Sequence, residues 1–385
     1  MSDQNLYERY HRQIILPEFG EEGQRKLLRA KALVIGAGGL GCPVLQYLTA
    51  AGVGTIGIVD DDVVALNNLH RQVLYSVNDI GLSKAERAAN ILQQLNPGIK
   101  IISYNERLIT QNALAIIDEY DIIIDGTDNF STRYMINDAC VLLNKPLVYG
   151  AISQFEGQVS IFNPQPPSEP ERAGLKESNE AVNYRDLFPD PPREGDVLNC
   201  AEAGVLGVLP GIIGTMMANE TIKLITGIGE PLINQLLTYN ALNNQVYLLN
   251  LSARKETRSL IPKNEKEFLQ TDYEWLCAAP VQQNEVDPRL FNDMIANGNI
   301  DVIDVRELHE TPIVNEFKHI RIPLVQLADN ASLIKSGTVI AFCQSGKRSL
   351  QATKILSGIF GETKKIYSLR GGIVQWKQGR AKQPV

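Results

Sequence analysis

Apolar runs alternate with segments of helical spacing along roughly the first 150 residues. ALVIGAGGLG (32–41) is an apolar run ending in glycines, and PVLQYLTAAGV (43–53) has the spacing of a helix. TIGIVD (55–60) predicts a second strand; residues 100–104, DIIIDGTDN (121–129) and PLVYGAIS (146–153) repeat the pattern. Apolar strands separated by helices specify a mostly parallel sheet covered on both faces, a Rossmann-like doubly wound α/β domain. From 163 to 198 the texture changes: seven of the chain's 19 prolines fall there, among many charges. Such a stretch predicts a long loop of the functional or disordered kind. Residues 203–229 are apolar and helix-forming apart from their glycines, and 235–251 predict a strand pair turning at Asn243-Asn244.

Periodicity fades over 252–285, which reads as a polar linker. Beyond it, DVIDVRE (301–307) and TVIAFCQSG (338–346) predict strands, KRSLQATKILSGIF (347–360) a helix, and KKIYSLRGG (364–372) a last strand and turn. The expected organisation is an α/β domain over 1–255, a linker over 256–285 and a smaller α/β domain over 286–385.

Composition narrows the function without changing the fold. At 385 residues the chain exceeds what one core usually serves. Its charge sum of 37 − 44 = −7 argues against a nucleic-acid partner, while leaving room for a local phosphate pocket. The five cysteines, Cys42, Cys140, Cys200, Cys277 and Cys343, include no C-x-x-C pair. That spacing disfavours a disulfide scaffold and a C-x-x-C zinc site. The polar start MSDQNLYERYHRQ lacks an apolar signal core, and no run reaches 18 apolar residues, so a cytoplasmic chain without a membrane span is expected.

Candidate chemistry begins at Gly36-Ala37-Gly38-Gly39-Leu40-Gly41, a G-x-G-x-x-G loop between strand and helix. Glycines admit close backbone approach to an anion, and a helix N-terminus offers unpaired N–H groups. Asp60 closes the second strand 19 residues after Gly41, where an acid meets a ribose hydroxyl or forms a solvated turn. Arg71, in Asn67-Asn68-Leu69-His70-Arg71-Gln72, and Lys84 supply the cations that a triphosphate or a departing pyrophosphate demands. Asp128, in Asp125-Gly126-Thr127-Asp128-Asn129, suits Mg²⁺ held between phosphates, and also a helix N-cap; the two roles are compatible.

Taken together, RYHRQIILPEFGEEGQRKL, GAGGLGCPVLQYLTAAGVGTIGIVDDDVV, NNLHRQVLY, DGTDNFSTRY, EGQVSIFN and CAEAGVLGVLPGIIG resemble the MoeB/ThiF branch of the ubiquitin-activating enzyme family over about residues 5–255. The resemblance implies adenylation of the C-terminal glycine of a small ubiquitin-like sulfur carrier (MoaD-like or ThiS-like), with ATP and Mg²⁺. It places ATP contacts at Gly39, Asp60, Asn67, Asn68, Leu69, His70, Arg71, Lys84, Asp128 and Asn129. It makes Arg12 an arginine that reaches a neighbouring subunit's site, hence a homodimer. The resemblance puts Cys200 at the position proposed, in several relatives, to form a thioester or persulfide bond with the carrier; a small residue packed under the loop is the alternative. Cys42 and Cys140 lie in helical segments and read as core. Two C-x-x-C pairs that clamp zinc in the family are missing: the first position reads Asn183-Tyr184-Arg185-Asp186, and the second, near 258–261, reads Arg258-Ser259-Leu260-Ile261. Zinc is therefore not expected.

The last hundred residues resemble a rhodanese domain in DVIDVRE, EFKHIRIPL, Cys343-Gln344-Ser345-Gly346-Lys347-Arg348-Ser349 and YSLRGGIVQW. A loop from Cys343 to Arg348 between strand and helix makes a nest of N–H groups, with cationic support from Lys347 and Arg348, suited to a thiolate or persulfide. The fused plan implies a carrier–AMP anhydride, attack by a rhodanese persulfide, and a thiocarboxylate product. The persulfide would come from a donor such as a cysteine desulfurase. A molybdopterin-synthase small-subunit type carrier ranks first, ahead of thiamine and tRNA-thiolation carriers. The rivals are a nicotinamide dehydrogenase, for which a hydride-donor pocket is lacking, and a non-catalytic carrier-binding scaffold.

Overall fold

A computed structural model describes residues 3–164, 181–189, 204–273 and 284–381, apart from 297, 299, 308, 309, 312 and 345. Two compact units divide the chain, Met1–Ala278 and Ala279–Val385. In the first, helices α1 (Asp3–Ile14) and α2 (Gly20–Arg29) precede strand β1 (Lys31–Ile35). Then come α3 (Gly41–Ala51), β2 (Thr55–Val59), α4 (Lys84–Leu95), β3 (Lys100–Tyr104), α5 (Thr110–Asp118), β4 (Ile122–Asp125), α6 (Phe130–Leu142) and β5 (Leu147–Ser153). β6 (Glu156–Phe162), α7 (Leu209–Thr226), β7 (Gln235–Asn240), β8 (Gln245–Asn250) and α8 (Glu265–Gln270) complete it.

The eight strands form one sheet in the order β3-β2-β1-β4-β5-β6-β7-β8. The first five in that order are parallel, and β6 to β8 pair antiparallel. All four residues of β4 are buried, as expected of a strand covered on both faces. Successive residues serve opposite cores: Val34, Ile58 and Ile124 pack with α3, α4 and α7, whereas Leu33 and Ile123 pack with α5 and α6. β1 lies between β2 and β4, so the loops leaving β1 and β4 diverge at the carboxyl edge and open a crevice there. The β7–β8 hairpin turns where the sequence placed it, with Asn244 at φ +59°.

Residues 256–273, expected within a linker, pack against the first unit instead. Phe268 and Tyr273 are buried in its second core, and Ile261 is buried as well. These apolar residues stand too far apart to show a period, yet each fills its own site. Burying one such side chain stabilises by about 1.5–3 kcal/mol.

The second unit contains β9 (Glu285–Val286), α9 (Pro288–Ala296), β10 (Asp301–Asp304), β11 (Ile320–Arg321), β12 (Thr338–Phe342), α10 (Lys347–Phe360), β13 (Lys365–Leu369) and α11 (Gly372–Ala381). Its five strands are all parallel, in the order β11-β10-β12-β13-β9. Among the described residues, no helix is long and apolar enough to cross a membrane.

Candidate active sites

The crevice at the carboxyl edge is a cavity of about 610 Å³. Gly36, Gly38, Gly39, Asp60, Asn68, Arg71, Lys84, Asp128 and Asn129 all line it, gathered from the ends of β1, β2 and β4 and from the start of α4. Gly41 begins α3, and a Cβ there would lie 1.9 Å from the Gly36 carbonyl oxygen, so only glycine allows the loop to close this tightly. Asp60 braces the loop: its Oδ2 accepts from Ala37 N at 2.7 Å and its Oδ1 from Asp62 N at 2.9 Å. Burial pushes the Asp60 carboxyl above the usual range.

Lys84 opens α4 behind the Ser83 cap and is buried, its Nζ donating to Asp62 Oδ2 at 2.8 Å. That partner fixes the direction of the ammonium group. Arg71 Nη1 donates to the Asn67 carbonyl at 2.9 Å and lies 2.9 Å from His70 Nε2. Asn68 Oδ1 accepts from Ala65 N at 3.3 Å, and Leu69 packs against the core. Leu69, His70, Asn67 and Gly41 do not themselves line the cavity.

Asn129, not Asp128, caps α6: its Oδ1 accepts from Thr132 N at 2.8 Å. Asp128 is exposed at the cavity and is spared the capping role. Arg12 lies exposed on α1 and does not line the cavity of its own chain.

Gln72 and Arg133 are among the lining residues for which the sequence alone predicts no role. Both side chains are more than nine-tenths buried, and both keep a buried atom without a protein partner, Oε1 of Gln72 and Nε of Arg133. Arg133 Nη2 donates to the Thr127 carbonyl at 2.6 Å, and its guanidinium lies 5.6 Å from the centre of the Tyr149 ring. The one available signal was position: Arg133 falls on the first turn after Asp128-Asn129. Unpartnered buried polar atoms beside a glycine cradle fit a bound polar molecule, and the cations around it fit a triphosphate.

The family's zinc-clamp positions hold a different device. Asp186 Oδ2 accepts from Asn183 N at 2.9 Å and Asn183 Nδ2 at 2.7 Å. Asp186 Oδ1 accepts from Arg254 N at 2.9 Å and from Thr257 Oγ1. The partners therefore sit at 254 and 257, four residues before the stretch that the sequence reading assigned. Alongside, Arg185 donates from Nε and Nη2 to both oxygens of Asp138 at 2.8 and 2.7 Å, with Tyr273 OH donating to Asp138 Oδ2 at 2.9 Å. These donors and acceptors satisfy one another, and no cluster of three or more metal-ligating side chains occurs among the described residues. The residues present do not fit a tetrahedral zinc site.

Cys200 lies outside the described residues. Cys42 and Cys140 are buried in the first unit's cores; burial pushes the Cys42 thiol up to about 12 and Cys140 well above its ordinary value. Neither is a ready nucleophile.

In the second unit Cys343 follows β12 and is buried, with Gly346 N donating to its Sγ at 3.1 Å. Gly346 has φ +97°, a left-handed turn that aims this amide at sulfur before α10 begins. Ser349 Oγ stands 3.7 Å from Sγ and accepts from Ser368 Oγ at 2.8 Å. Arg348 is on the first turn of α10, bound by Glu310.

Known proteins resemble this chain in sequence and in fold. A model of the ThiF family matches residues 10–260, and one of the rhodanese-like domain matches residues 287–379. The "Probable adenylyltransferase/sulfurtransferase MoeZ" of Mycobacterium tuberculosis is 42% identical over 379 residues, covering 96% of this chain and 92% of its own. The "Sulfur carrier protein adenylyltransferase" of Thermus thermophilus is 49% identical over 271 residues, 70% of this chain and 96% of its own. Escherichia coli MccB, solved with ATP, shares the fold: TM-score 0.52 at 21% identity, over 64% of this chain and 72% of that one.

Proposed function

The chain belongs to the ThiF family and carries a rhodanese-like domain behind it, and from that premise we propose that it adenylates the C-terminal glycine of a ubiquitin-like sulfur carrier and then transfers sulfur to it. One observation carries the first half: a single cavity gathers a glycine loop, Asp60, Arg71, Lys84 and Asp128 at the carboxyl edge of the sheet. The carrier's terminal carboxylate attacks the α-phosphorus of ATP, a new P–O bond forms, and pyrophosphate leaves with the electrons of the broken anhydride bond. A carboxylate is already ionised at neutral pH, so the step needs positioning and charge neutralisation rather than a base. Asp60 holds the ribose, the loop from Gly36 to Gly41 holds the phosphates, and Asn67 to Arg71 with Lys84 balance their charge. Asp128, with Asn129 beside it, is the residue that would hold Mg²⁺, which would supply further neutralisation of the phosphate charge. Gln72 and Arg133 offer the remaining buried donor and acceptor. Arg12, exposed on α1, reaches the site of a second copy in a homodimer.

Cys343 then brings a sulfane sulfur received from a persulfide donor such as a cysteine desulfurase. That sulfur attacks the acyl carbon, AMP leaves, and a second thiol cleaves the resulting acyl disulfide to free the thiocarboxylate. Cys200 is the residue to test for a covalent part in this exchange.

ATP–pyrophosphate exchange measured with a panel of carriers tests the reading. Molybdopterin-synthase small-subunit carriers come first, with thiamine and tRNA-thiolation carriers beside them. Exchange that depends on one carrier identifies the substrate; no exchange with any would overturn the reading in favour of a carrier-binding scaffold.

A further inference from the structure

Around the Cys343 loop, Arg306, Arg321 and Arg348 are each engaged by a carboxylate. Arg306 donates from Nε and Nη2 to both oxygens of Asp304 at 2.9 and 2.8 Å, and from Nη1 to Gln344 Oε1 at 3.3 Å. Arg321 lies 3.6 Å from Asp304 Oδ2 and donates from Nη2 to the Glu307 carbonyl at 3.2 Å. Arg348, the last residue of the loop, is gripped at both tips: Nη1 donates to Glu310 Oε1 at 2.5 Å and Nη2 to Oε2 at 2.7 Å. Glu307 N donates to the same Oε1 at 2.8 Å, which fixes the carboxylate from behind. The Arg348 contacts and the backbone bond hold the Glu310 carboxyl down at about 2, so it is anionic at any working pH.

The consequence concerns which sulfur donors the loop receives. An inorganic dianion such as thiosulfate is bound best by a guanidinium that offers its two-pronged edge. Here that edge is occupied, and the Arg348–Glu310 pair adds no net charge. A dianion would have to displace a fixed carboxylate while approaching its negative charge. An organic or protein persulfide carries at most one charge on its terminal sulfur. It needs only the loop amides and the positive N-terminus of α10.

We propose that Glu310 is a specificity-determining residue: by holding Arg348 in a bidentate ion pair, it withholds that guanidinium from inorganic dianions and reserves Cys343 for persulfide donors. In the step so favoured, the Cys343 thiolate attacks the terminal sulfur of R–S–SH. The new S–S bond forms as the donor's breaks, and the electron pair leaves on RS⁻, which takes up a proton. With thiosulfate the same attack would expel sulfite. The inference rests on the reading that Cys343 carries the sulfur, and Glu310 acts through Arg348 without touching the donor.

The test is sulfur loading of Cys343 in the full-length chain from two probes, thiosulfate and glutathione persulfide, in wild type, Glu310→Gln and the Glu310→Gln/Arg348→Gln double variant. Losing the carboxylate charge should raise the thiosulfate-to-persulfide ratio of kcat/KM by about tenfold or more, carried by a lower KM for thiosulfate. The double variant should lose that gain. Glu310→Asp, which shortens the reach by one methylene, should give a smaller rise and serves if Glu310→Gln fails to fold. An unchanged ratio in a folded variant overturns the inference, as does a gain that survives in the double variant. Wild type that uses both donors equally overturns it alone, whereas wild type that loads from neither overturns the reading of Cys343 as well.

Discussion

Asp186 and Thr257, 71 residues apart in sequence, are joined by a hydrogen bond from Thr257 Oγ1 to Asp186 Oδ1. The same carboxylate takes the backbone amides of Asn183 and Arg254, so it ties the short helix Tyr184–Leu187 to the turn that follows β8. Asp186→Ala would leave these donors buried without an acceptor, at a cost of about 2–4 kcal/mol. The first unit's melting temperature should fall by roughly 5–10 °C. A chelator should leave the wild-type melt unchanged, and metal analysis should find zinc below one per chain. A chelator-sensitive melt would show that metal, not this hydrogen-bonded clamp, joins the two segments.

Asp128 stands at the cavity with the capping duty taken by Asn129. Asp128→Ala should therefore keep the fold while lowering carrier-dependent pyrophosphate exchange by about 10²–10³-fold, the scale of losing one preorganised charge contact. Thermal melting checks the fold. Near-wild-type exchange in a folded variant would place the metal elsewhere.

Arg12 tests the homodimer. Arg12→Ala alone should lose exchange to a similar degree, and mixing it with Asp128→Ala protein should restore part of it. Mixed dimers can then contain one site with both an intact Arg12 and an intact Asp128. Full activity in Arg12→Ala, or no recovery on mixing, would argue for a self-contained site.

What the sequence made legible was local. The loop from Gly36 to Gly41, Asp60 at the end of β2 and Cys343 at the end of β12 are contiguous patterns of strand, turn and helix, so spacing alone located them. The pairs that aim these groups join distant residues: Lys84 with Asp62 across 22 positions, Arg348 with Glu310 across 38, Arg185 with Asp138 across 47. No local pattern encodes such partners. Arg133 was in plain view within DNFSTRY, yet only the fold turns it back onto Thr127. The packing of residues 256–273 is illegible for the opposite reason. Phe268 and Tyr273 are buried one at a time, without the periodicity that marks an element.

Acid should loosen the second unit through Glu310 and Glu316. Both are held near about 2, Glu310 chiefly by Arg348 and Glu316 chiefly by Lys377, against an ordinary 4.5. A depressed carboxyl contributes stability that is present above its unfolded value and lost as pH falls toward its folded one. The window is therefore pH 4.5 down to about 2. Each pair is partly exposed, so screening limits it to no more than about 1 kcal/mol. Asp60 and Asp125 are shifted the other way by burial, so their protonation favours the folded first unit as pH falls. Glu310→Gln with Glu316→Gln should flatten the acid limb of the second unit's stability curve. An unchanged slope between those pH values would assign acid sensitivity to other groups.

Cys343→Ala separates the two halves of the mechanism. Sulfurtransferase activity and thiocarboxylate formation should disappear, while carrier-dependent pyrophosphate exchange stays at the wild-type rate. The reason lies in what each unit holds. The cavity with Arg71, Lys84 and Asp128 is built wholly from the first unit, and Cys343 is packed in the core of the second. Removing Sγ leaves the Gly346 amide aimed at nothing, and the neighbouring Ser349 hydroxyl cannot carry a sulfane sulfur. Mass spectrometry of the carrier reads the outcome as acyl-adenylate that accumulates without gaining sulfur. Thiocarboxylate formed at the normal rate from the same donor would mean that sulfur reaches the adenylate by another route, and the second unit would keep its fold without its proposed chemistry.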